Sequence, residues 1–474
     1  MSEMPFDPQQ ASKASSTLTW GLLAFLCLNA FALNGLLWIA SPEPYKDTVL
    51  RQSWNLLKGV SGDDSWGAMD VALDSAVDTP DVPLYTKVFF TEQFRFQYPP
   101  SAMFALAAMR AVAPERIQIN DVYDGPWPAI NASVGWVFIA LTALSVALLL
   151  EATLRHTQPH VHRQPLMVLR AAVVIGLTLT FYPAVKAFTL GQIQVWINAL
   201  FALGLLAWAT GWKASSGMLI GTIALIKPHY GLILLWAGLR REWRFATACA
   251  AIIGVGLAAA VAMFGVANHV DYLRVLSFLS QHGEAYFPNQ SVNGLLNRLM
   301  SIADPQLFVS LDLPAGKFPP FTPWIYGVTL ISSMALLIAA LLRRRGASDR
   351  DGVIDFSIIA LSCTMASPIA WEHHYGITLP IYAVLLAGAI GDRSRLAWLA
   401  ASYVLVSTFV PVTNLLAANV LNIFQSLLFA GAIILLVLLH RRLGAAAPES
   451  PAGGLGRGDE KSITEARRQP AFST

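Results

Sequence analysis

Long apolar runs follow one another through most of the chain, separated by short polar or basic segments. The runs that predict membrane-spanning helices are residues 18–40, 128–150, 166–182, 193–210, 217–226, 230–239, 245–267, 324–342, 353–366, 376–390, 396–412 and 421–439. A single span needs about 20 apolar residues, and shorter runs fit helices that are broken within the bilayer. The pattern therefore predicts an all-α integral membrane protein with a bundle of about twelve transmembrane helices.

Two places depart from this regular pattern. Lys227 and Pro228 split one apolar stretch into two short ones, which predicts a broken helix pair because proline cannot continue a helix. After Pro99 and Pro100, the apolar run at residues 101–113 is too short to cross the bilayer. It predicts a re-entrant or interfacial helix.

Composition supports a membrane protein. Of the 474 residues, 55% are hydrophobic and only 13% are charged, whereas soluble domains have about 25% charged residues. The net charge of +3 leaves no electrostatic footprint for nucleic acid, so none is expected as a partner. The three cysteines lie inside apolar runs without histidines nearby, so we expect inert thiols and no zinc site.

The basic residues between the runs fall on one side, which the positive-inside rule makes cytoplasmic, together with both termini. The opposite face receives two large loops, at about residues 41–126 and 268–323. Nine acids stand against five bases in residues 41–98, a balance that suits an extracytoplasmic loop. The predicted domains are a cytoplasmic segment at residues 1–17, a transmembrane domain at residues 18–440 and a disordered cytoplasmic tail at residues 441–474.

Polar residues capable of chemistry are concentrated on the predicted outer face. Residues 367–375 read Ser-Pro-Ile-Ala-Trp-Glu-His-His-Tyr between two apolar runs. An ionisable side chain costs about 2.5–3.5 kcal/mol at the centre of a spanning helix, so such residues need a reason to be there. They mark either a polar site at the mouth of a membrane cavity or an interfacial belt that anchors two helices. The candidates are Trp371, Glu372, His373 and His374.

Further outer-face positions are candidates, each with a plainer alternative. Asp47 follows the first span, where its carboxylate can face a cavity or be solvated like other loop acids. Gln192 precedes a helix, which it can cap. Lys227 and His229 stand at the helix break, where a cation and free backbone N–H groups can bind phosphate. The alternative for Lys227 is a side chain that snorkels to the surface.

The second outer loop supplies another set of polar groups. Gln290, Ser291 and Arg298 offer an amide, a hydroxyl and a guanidinium. These groups suit sugar hydroxyls and phosphate oxygens. The alternative is an ordinary polar loop.

Six short motifs, taken in order, resemble those of glycosyltransferase family 87. They are Asp47 after the first span, Phe-Gln-Tyr-Pro-Pro at 96–100, Gly-Gln at 191–192, Leu-Ile-Lys-Pro at 225–228, Asn-Gln-Ser at 289–291 with Arg298, and Ser-Pro-Ile-Ala-Trp-Glu-His-His at 367–374. The family comprises membrane enzymes of the GT-C fold, typified by mycobacterial mannosyltransferases that use polyprenyl-phosphate mannose. The resemblance covers about residues 18–440, and it implies that Tyr98, in the second motif, lies at the substrate site.

The resemblance also implies individual roles. Asp47 corresponds to the proposed catalytic base, and His373 and His374 correspond to contacts of the donor phosphate. The stretch after Asp47 departs from the usual family pattern, which leaves Asp63 and Asp64 as alternative bases. The family also includes arabinofuranosyl transferases, so the sugar stays open between mannose and arabinofuranose.

The expected function is that of a membrane glycosyltransferase, more narrowly a mannosyltransferase. It moves a sugar from a polyprenyl-phosphate donor to a glycolipid or glycan acceptor, with inversion. One carboxylate and a set of phosphate-binding groups suffice for this reaction, so no cofactor and no metal are expected. We expect the protein in the inner membrane of a bacterium, in contact with lipid, with its site on the periplasmic or exterior face.

Two other classes share some of these features. A transporter or lipid flippase would also have about twelve spans and a broken helix. Against it, the two halves of the chain show no visible similarity, and the polar residues lie on one face rather than near the midplane. A non-catalytic partner in polysaccharide assembly would keep the helices without the acid and the cations.

Overall fold

The computed structural model describes residues 8–41, 47–112, 127–159, 161, 166–300, 318–343 and 349–444. Within these ranges the chain is helical, and its one extended pairing is an isolated β-bridge between Asn289 and Trp371. Residues 1–7, the tail at 445–474 and the loop portions 42–46, 113–126 and 301–317 lie outside the described residues. The predictions made for them therefore stay predictions.

The α-helices, numbered in chain order, are α1 (Pro8–Leu26), α2 (Asn34–Ala40), α3 (Val49–Leu57), α4 (Trp66–Asp78), α5 (Met103–Val112), α6 (Trp127–Thr157), α7 (Met167–Leu179), α8 (Tyr182–Thr189), α9 (Gln194–Ala209), α10 (Lys213–Ile226), α11 (Leu232–Leu239), α12 (Trp243–His282), α13 (Val292–Met300), α14 (Pro323–Leu342), α15 (Asp349–Met365), α16 (Thr378–Ala389), α17 (Arg393–Ser407) and α18 (Leu427–Gly444). A π-helical stretch, Cys27–Leu33, joins α1 to α2. Short 3-10 turns at Pro228–Gly231 and Glu372–Ile377 precede α11 and α16.

In the described part of the chain, five helical stretches are long and apolar enough to cross a membrane. They are Lys13–Ala40, Trp127–Thr157, Trp243–His282, Pro323–Leu342 and Val420–Arg442. Helices α7 and α8, which are bent by 57° at their junction, form a sixth if the pair is one span. The all-helical architecture with several candidate spans is confirmed, and the number of about twelve stays a prediction.

The remaining predicted runs also contain helices, but these are shorter than the length that a full span needs. Helices α9 and α10 have 16 and 14 residues, against about 20 for a span. Helix α9 packs against α6, α10 and α15 and buries most of its side chains. Its apolar composition therefore reflects contact with other helices on several sides.

The predicted interruptions are present. Helix α10 ends at Ile226, and Lys227 has an extended backbone before the turn that leads into α11. The short run at residues 101–113 contains the ten-residue helix α5. Both features follow from proline, which ends one helix and starts the next turn.

Helix α12 extends well past residue 267, where its predicted span ends. It bends at Gly265, whose φ of +75° is accessible to glycine without strain, and continues to His282. The last part buries Asp271, Tyr272, Val275 and Leu279 on one face. The sequence becomes less hydrophobic after residue 267, which is why the predicted span ends there. The helix itself can continue because an amphipathic helix needs only one apolar face.

Candidate active site

A cavity of about 1000 Å³ opens among the segments predicted for the outer face. We call it the main cavity. Helix α12 and the segments around residues 64–68, 95–98, 226–229 and 366–374 contribute to its wall. Seven residues predicted for the site line it, namely Tyr98, Gln192, Lys227, His229, Trp371, His373 and His374.

One side of the cavity carries the basic wall, which we define as Lys227, His229, His373 and His374. The Lys227 ammonium donates a hydrogen bond of 2.7 Å to Gln194 Oε1 and forms no ion pair with a described carboxylate. Burial lowers the pKa of Lys227 well below its usual range and, together with Lys227, lowers that of His229 to about 3. The lysine of this wall is thus not neutralised by a described carboxylate.

His373 is a buried histidine whose ring the surrounding protein does not satisfy. Its side chain is 1% exposed, and neither ring nitrogen has a hydrogen-bond partner among the described residues. Burial, with Lys227 and Lys186, lowers its pKa well below the usual value. Because a nearby anion favours the protonated form of histidine and lysine, this wall suits a phosphate.

Asp64, named above only as an alternative base, faces the same cavity. Gly191 has a φ of +68°, and a Cβ there would lie 1.8 Å from the Gly62 carbonyl oxygen. The close approach lets the Asp64 N–H donate to the Leu190 carbonyl oxygen at 3.0 Å. The Gly-Gln motif therefore fixes where Asp64 lies.

Gln192 joins these segments and does not cap α9, whose N-terminus has no side-chain cap. Its amide nitrogen donates to the Asp64 carboxylate. Its amide oxygen accepts from the hydroxyls of Ser65 at 2.6 Å and Tyr98 at 3.0 Å. The Asp64 side chain is accessible from the cavity although protein surrounds it, and this burial raises its pKa.

Glu284 and Arg95 also line the cavity and were missed from the sequence. Arg95 Nη1 donates to Glu284 Oε1 at 2.5 Å, and the Trp371 indole N–H donates to Glu284 Oε2 at 2.7 Å. Gly283 has a φ of +62°, and a Cβ there would clash with Asn293. The pair Gly283-Glu284 just after an amphipathic helix is the signal that could have identified this acid.

Asp47 does not line the main cavity. It belongs to a second polar group, the Asp47 cluster, which we define as Asp47, Gln52, Tyr182, Lys186 and Glu372. Lys186 Nζ lies 3.1 Å from Asp47 Oδ2, and the Gln52 amide donates to Oδ1. The Asp47 side chain is 37% exposed.

Glu372 points into the Asp47 cluster, away from its neighbour His373. Tyr182 donates a hydrogen bond of 2.7 Å to Glu372 Oε1. Burial raises the pKa of Glu372 to about 7, against the opposing effects of Lys186 and Tyr182. Lys186 and Tyr182 are four residues apart on α8, so they present their side chains on one face of that helix.

Tyr286 connects the two places. It lines the main cavity, and burial raises its pKa to about 12. The carboxylates that raise it further are Glu372, Glu284, Asp47 and Asp64. Carboxylates of both places therefore lie within electrostatic range of one tyrosine.

The Asn-Gln-Ser motif and Arg298 lie off the cavity wall and hold its shape. Gln290 N–H donates to the Ala370 carbonyl oxygen at 2.7 Å, and Ser291 Oγ donates to that of Pro368 at 2.9 Å. Arg298 is fully buried and donates to the Asn289 carbonyl oxygen at 2.9 Å and to Ser426 Oγ at 2.5 Å. The structure thus brings these three residues to the back of the Trp371 segment, and substrate contact by them stays a prediction.

The described side chains of the site do not form a set of metal ligands. Among the residues that the structure describes, no group of three or more His, Cys, Asp or Glu side chains is arranged to hold a metal ion. The chemistry available at the site is that of carboxylates, a buried lysine and imidazoles.

The chain matches the model of glycosyltransferase family 87 over residues 96–368, more than half of its length. The chain belongs to glycosyltransferase family 87. This confirms the family suggested by the motifs and makes the protein an enzyme, a glycosyltransferase. The family match contains Tyr98, Gln192, Lys227 and Glu284 but ends before Trp371.

Two relatives of this family 87 chain are known by function. One, from Mycolicibacterium smegmatis, is a polyprenol-phosphate-mannose-dependent alpha-(1-2)-phosphatidylinositol mannoside mannosyltransferase, 25% identical over 363 residues that cover 70% of this chain and 72% of the relative. The protein of the same name from Mycobacterium tuberculosis is 24% identical over 289 residues, covering 58% of this chain and 62% of that one. No solved structure matches the chain.

Proposed function

We propose that this protein transfers mannose from a polyprenyl-phosphate donor to a glycolipid acceptor, with inversion, on the extracytoplasmic face of a bacterial inner membrane. The observation that carries the proposal is the buried basic wall, in which His373 has two unpartnered ring nitrogens. The mannosyltransferases from both mycobacterial species support mannose as the sugar and a phosphatidylinositol mannoside as a model acceptor. The architecture that we propose with it is a GT-C bundle of about twelve spans.

The proposed reaction forms one bond and breaks one bond at C1 of the mannose, and one proton is transferred. Asp47, implied as base by the family resemblance, takes the proton of an acceptor hydroxyl. That oxygen attacks C1 of the mannose as the bond from C1 to the phosphate oxygen breaks. Lys227 and the histidines stabilise the departing polyprenyl phosphate.

The cavity also provides for the lipid part of such a donor. Beside the basic wall it is lined by apolar side chains from three helices, Leu232 of α11, Leu276 and Leu279 of α12, and Leu337 of α14. Leu276 is partly exposed on the outer surface of α12. A polyprenyl chain that leaves the cavity past these residues would enter the hydrocarbon region.

A transfer assay tests the proposal. Purified protein in detergent should move radiolabelled mannose from a short-chain polyprenyl-phosphate mannose to a phosphatidylinositol mannoside. A Lys227→Gln variant serves as the control that removes the buried cation. Absence of transfer by the wild-type protein with this donor would contradict the assignment.

Sidedness has its own test. In a Cys27→Ser background, Asp81→Cys should react with an impermeant thiol reagent in intact cells, because Asp81 is exposed in the predicted outer loop. Arg244→Cys, exposed in the first turn of α12, should react only after the membrane is opened. The reverse labelling pattern would invert the orientation and remove the outer-face site.

A further inference from the structure

The carboxylates of the main cavity form a group separate from the basic wall. The basic wall holds Lys227 and three histidines. Burial lowers the pKa of His374, and Lys227, His373 and His229 lower it further. Asp64 instead interacts with Asp63, Arg95 and Glu284, besides its hydrogen bond from Gln192. We call Asp64, Arg95 and Glu284 the acidic wall.

The acidic wall has unused hydrogen-bonding capacity. An ionised carboxylate offers about four acceptor positions, and among described residues the Asp64 side chain accepts from Gln192. Arg95 Nε is buried and has no hydrogen-bond partner within the described part of the chain. Glu284 is 4% exposed and is held in place by Arg95 and Trp371, so it cannot move away from a ligand.

An aromatic face completes this part of the cavity. Trp371 lines the cavity and is only partly buried. Its ring meets His373 edge-on, with centroids 5.4 Å apart. Carboxylates that accept from hydroxyls, a guanidinium that donates, and an indole that packs on C–H groups are together the chemistry of a neutral sugar ring.

A second observation points to a ligand in the same cavity, namely His373 with its unpartnered nitrogens. In a polyprenyl-phosphate sugar, the ring is joined directly to the phosphate. A phosphate on the basic wall therefore places the ring within reach of another polar wall of this cavity, while the acceptor approaches from the Asp47 cluster.

We propose that Asp64 and Glu284 bind hydroxyl groups of the transferred sugar and so determine which sugar is accepted. This inference rests on the proposed function. Two carboxylates attract a ring that donates hydrogen bonds and repel one that carries its own carboxylate. The acidic wall thus selects a neutral hexose over a uronic acid.

Binding of two matched probes tests the inference without relying on turnover. The probes are a short-chain polyprenyl phosphate with and without mannose, titrated into wild-type protein, Asp64→Asn and Glu284→Gln. Wild-type protein should bind the mannose-bearing probe more tightly. In either variant that advantage should fall about tenfold, because a hydrogen bond to a charged group is lost, while binding of the sugar-free probe stays unchanged.

The control variant is Asp81→Asn, an exposed acid of the same outer segment, which should keep the full advantage. Thermal unfolding checks that Glu284→Gln still folds without its ion pair to Arg95, and Asp64→Asn keeps an oxygen that can accept from Gln192. A donor bearing a uronic acid should gain affinity in Asp64→Asn.

The outcomes separate the two proposals. If wild-type protein binds neither probe, the proposed function fails. If it binds both and the advantage of mannose is the same in both variants, the donor-sugar assignment of the acidic wall is overturned, and a raised KM for the acceptor would then place the acceptor there.

Discussion

The basic wall of the main cavity and the Asp47 cluster contrast in how their polar groups are paired. In the cluster, Lys186 and Asp47 lie 3.1 Å apart and satisfy each other without a ligand. In the basic wall, among the residues that the structure describes, Lys227 has a neutral amide as its partner and the His373 ring nitrogens have none. Paired groups are organised in advance, whereas unpaired buried groups gain most when a ligand of the opposite charge arrives.

The contrast favours different roles for the basic wall and the Asp47 cluster in the proposed reaction. The basic wall suits binding of an anionic donor, so substitutions there should change the affinity for the donor. The Asp47 cluster suits a proton-transfer step, with a response in kcat. Tyr286 is within electrostatic range of both sets of carboxylates, as expected if one reaction uses both places.

The largest expected effect comes from the proposed base, Asp47. Asp47→Asn keeps the shape of the side chain but removes its basicity, so kcat should fall by about 10² to 10⁴ with little change in the donor KM. Steady-state transfer kinetics measure both constants. Asp81→Asn, an exposed acid of the same outer segment, is the matched control, and its kcat should stay unchanged. A normal kcat in Asp47→Asn beside a 100-fold loss in Asp64→Asn would move the base into the main cavity.

An intermediate effect should distinguish two buried cations. Lys227→Gln removes the only lysine of the basic wall, and the donor KM should rise by about 10- to 100-fold, the range for a charge-assisted hydrogen bond. Arg298→Gln removes donors to backbone carbonyls behind the wall, so it should lower the midpoint of thermal unfolding and leave the donor KM within about threefold. A raised donor KM for Arg298→Gln at unchanged stability would restore the predicted phosphate contact.

The smallest effect concerns pH and Glu372. Its pKa is raised from 4.5 to about 7 in the folded protein, so the fold favours the protonated form. Its contribution to stability is therefore complete below about pH 4.5 and is lost as the pH rises through about 7. The midpoint of thermal unfolding in detergent should fall over this window by about a few degrees.

Glu372→Gln should flatten that dependence, because glutamine can accept from Tyr182 without titrating. The variant should be more stable than wild type above pH 7. Identical slopes in both proteins would show that Glu372 does not titrate in this window. Asp81→Asn, in an exposed position, is expected to follow the wild-type curve.

The two walls of the main cavity also differ in how much of each the sequence could predict. Lys227, His229, His373 and His374 were recognisable because ionisable residues between apolar runs are expensive without a function. Glu284 and Arg95 were not, because they lie in polar segments where charged residues are common. Their roles depend on a contact across 189 positions of sequence.

Gln192 and Arg298 show a second limit of the sequence, which identified these residues but not their partners. Both were singled out for their chemistry, yet Gln192 joins Asp64, Ser65 and Tyr98, and Arg298 holds backbone carbonyls. A side chain's type fixes the bonds it can make, but its partners depend on which loops meet in space.

The sequence by itself determined the helical membrane architecture, the helix break at Lys227 and the family, because hydrophobicity, proline and short motifs are local properties. Only the tertiary structure decided that the consecutive residues Glu372 and His373 serve different places. A turn held by Asn289, Gln290 and Pro288 directs the carboxylate toward Tyr182 and leaves the imidazole in the cavity. Such a division depends on contacts between distant segments, which no local pattern contains.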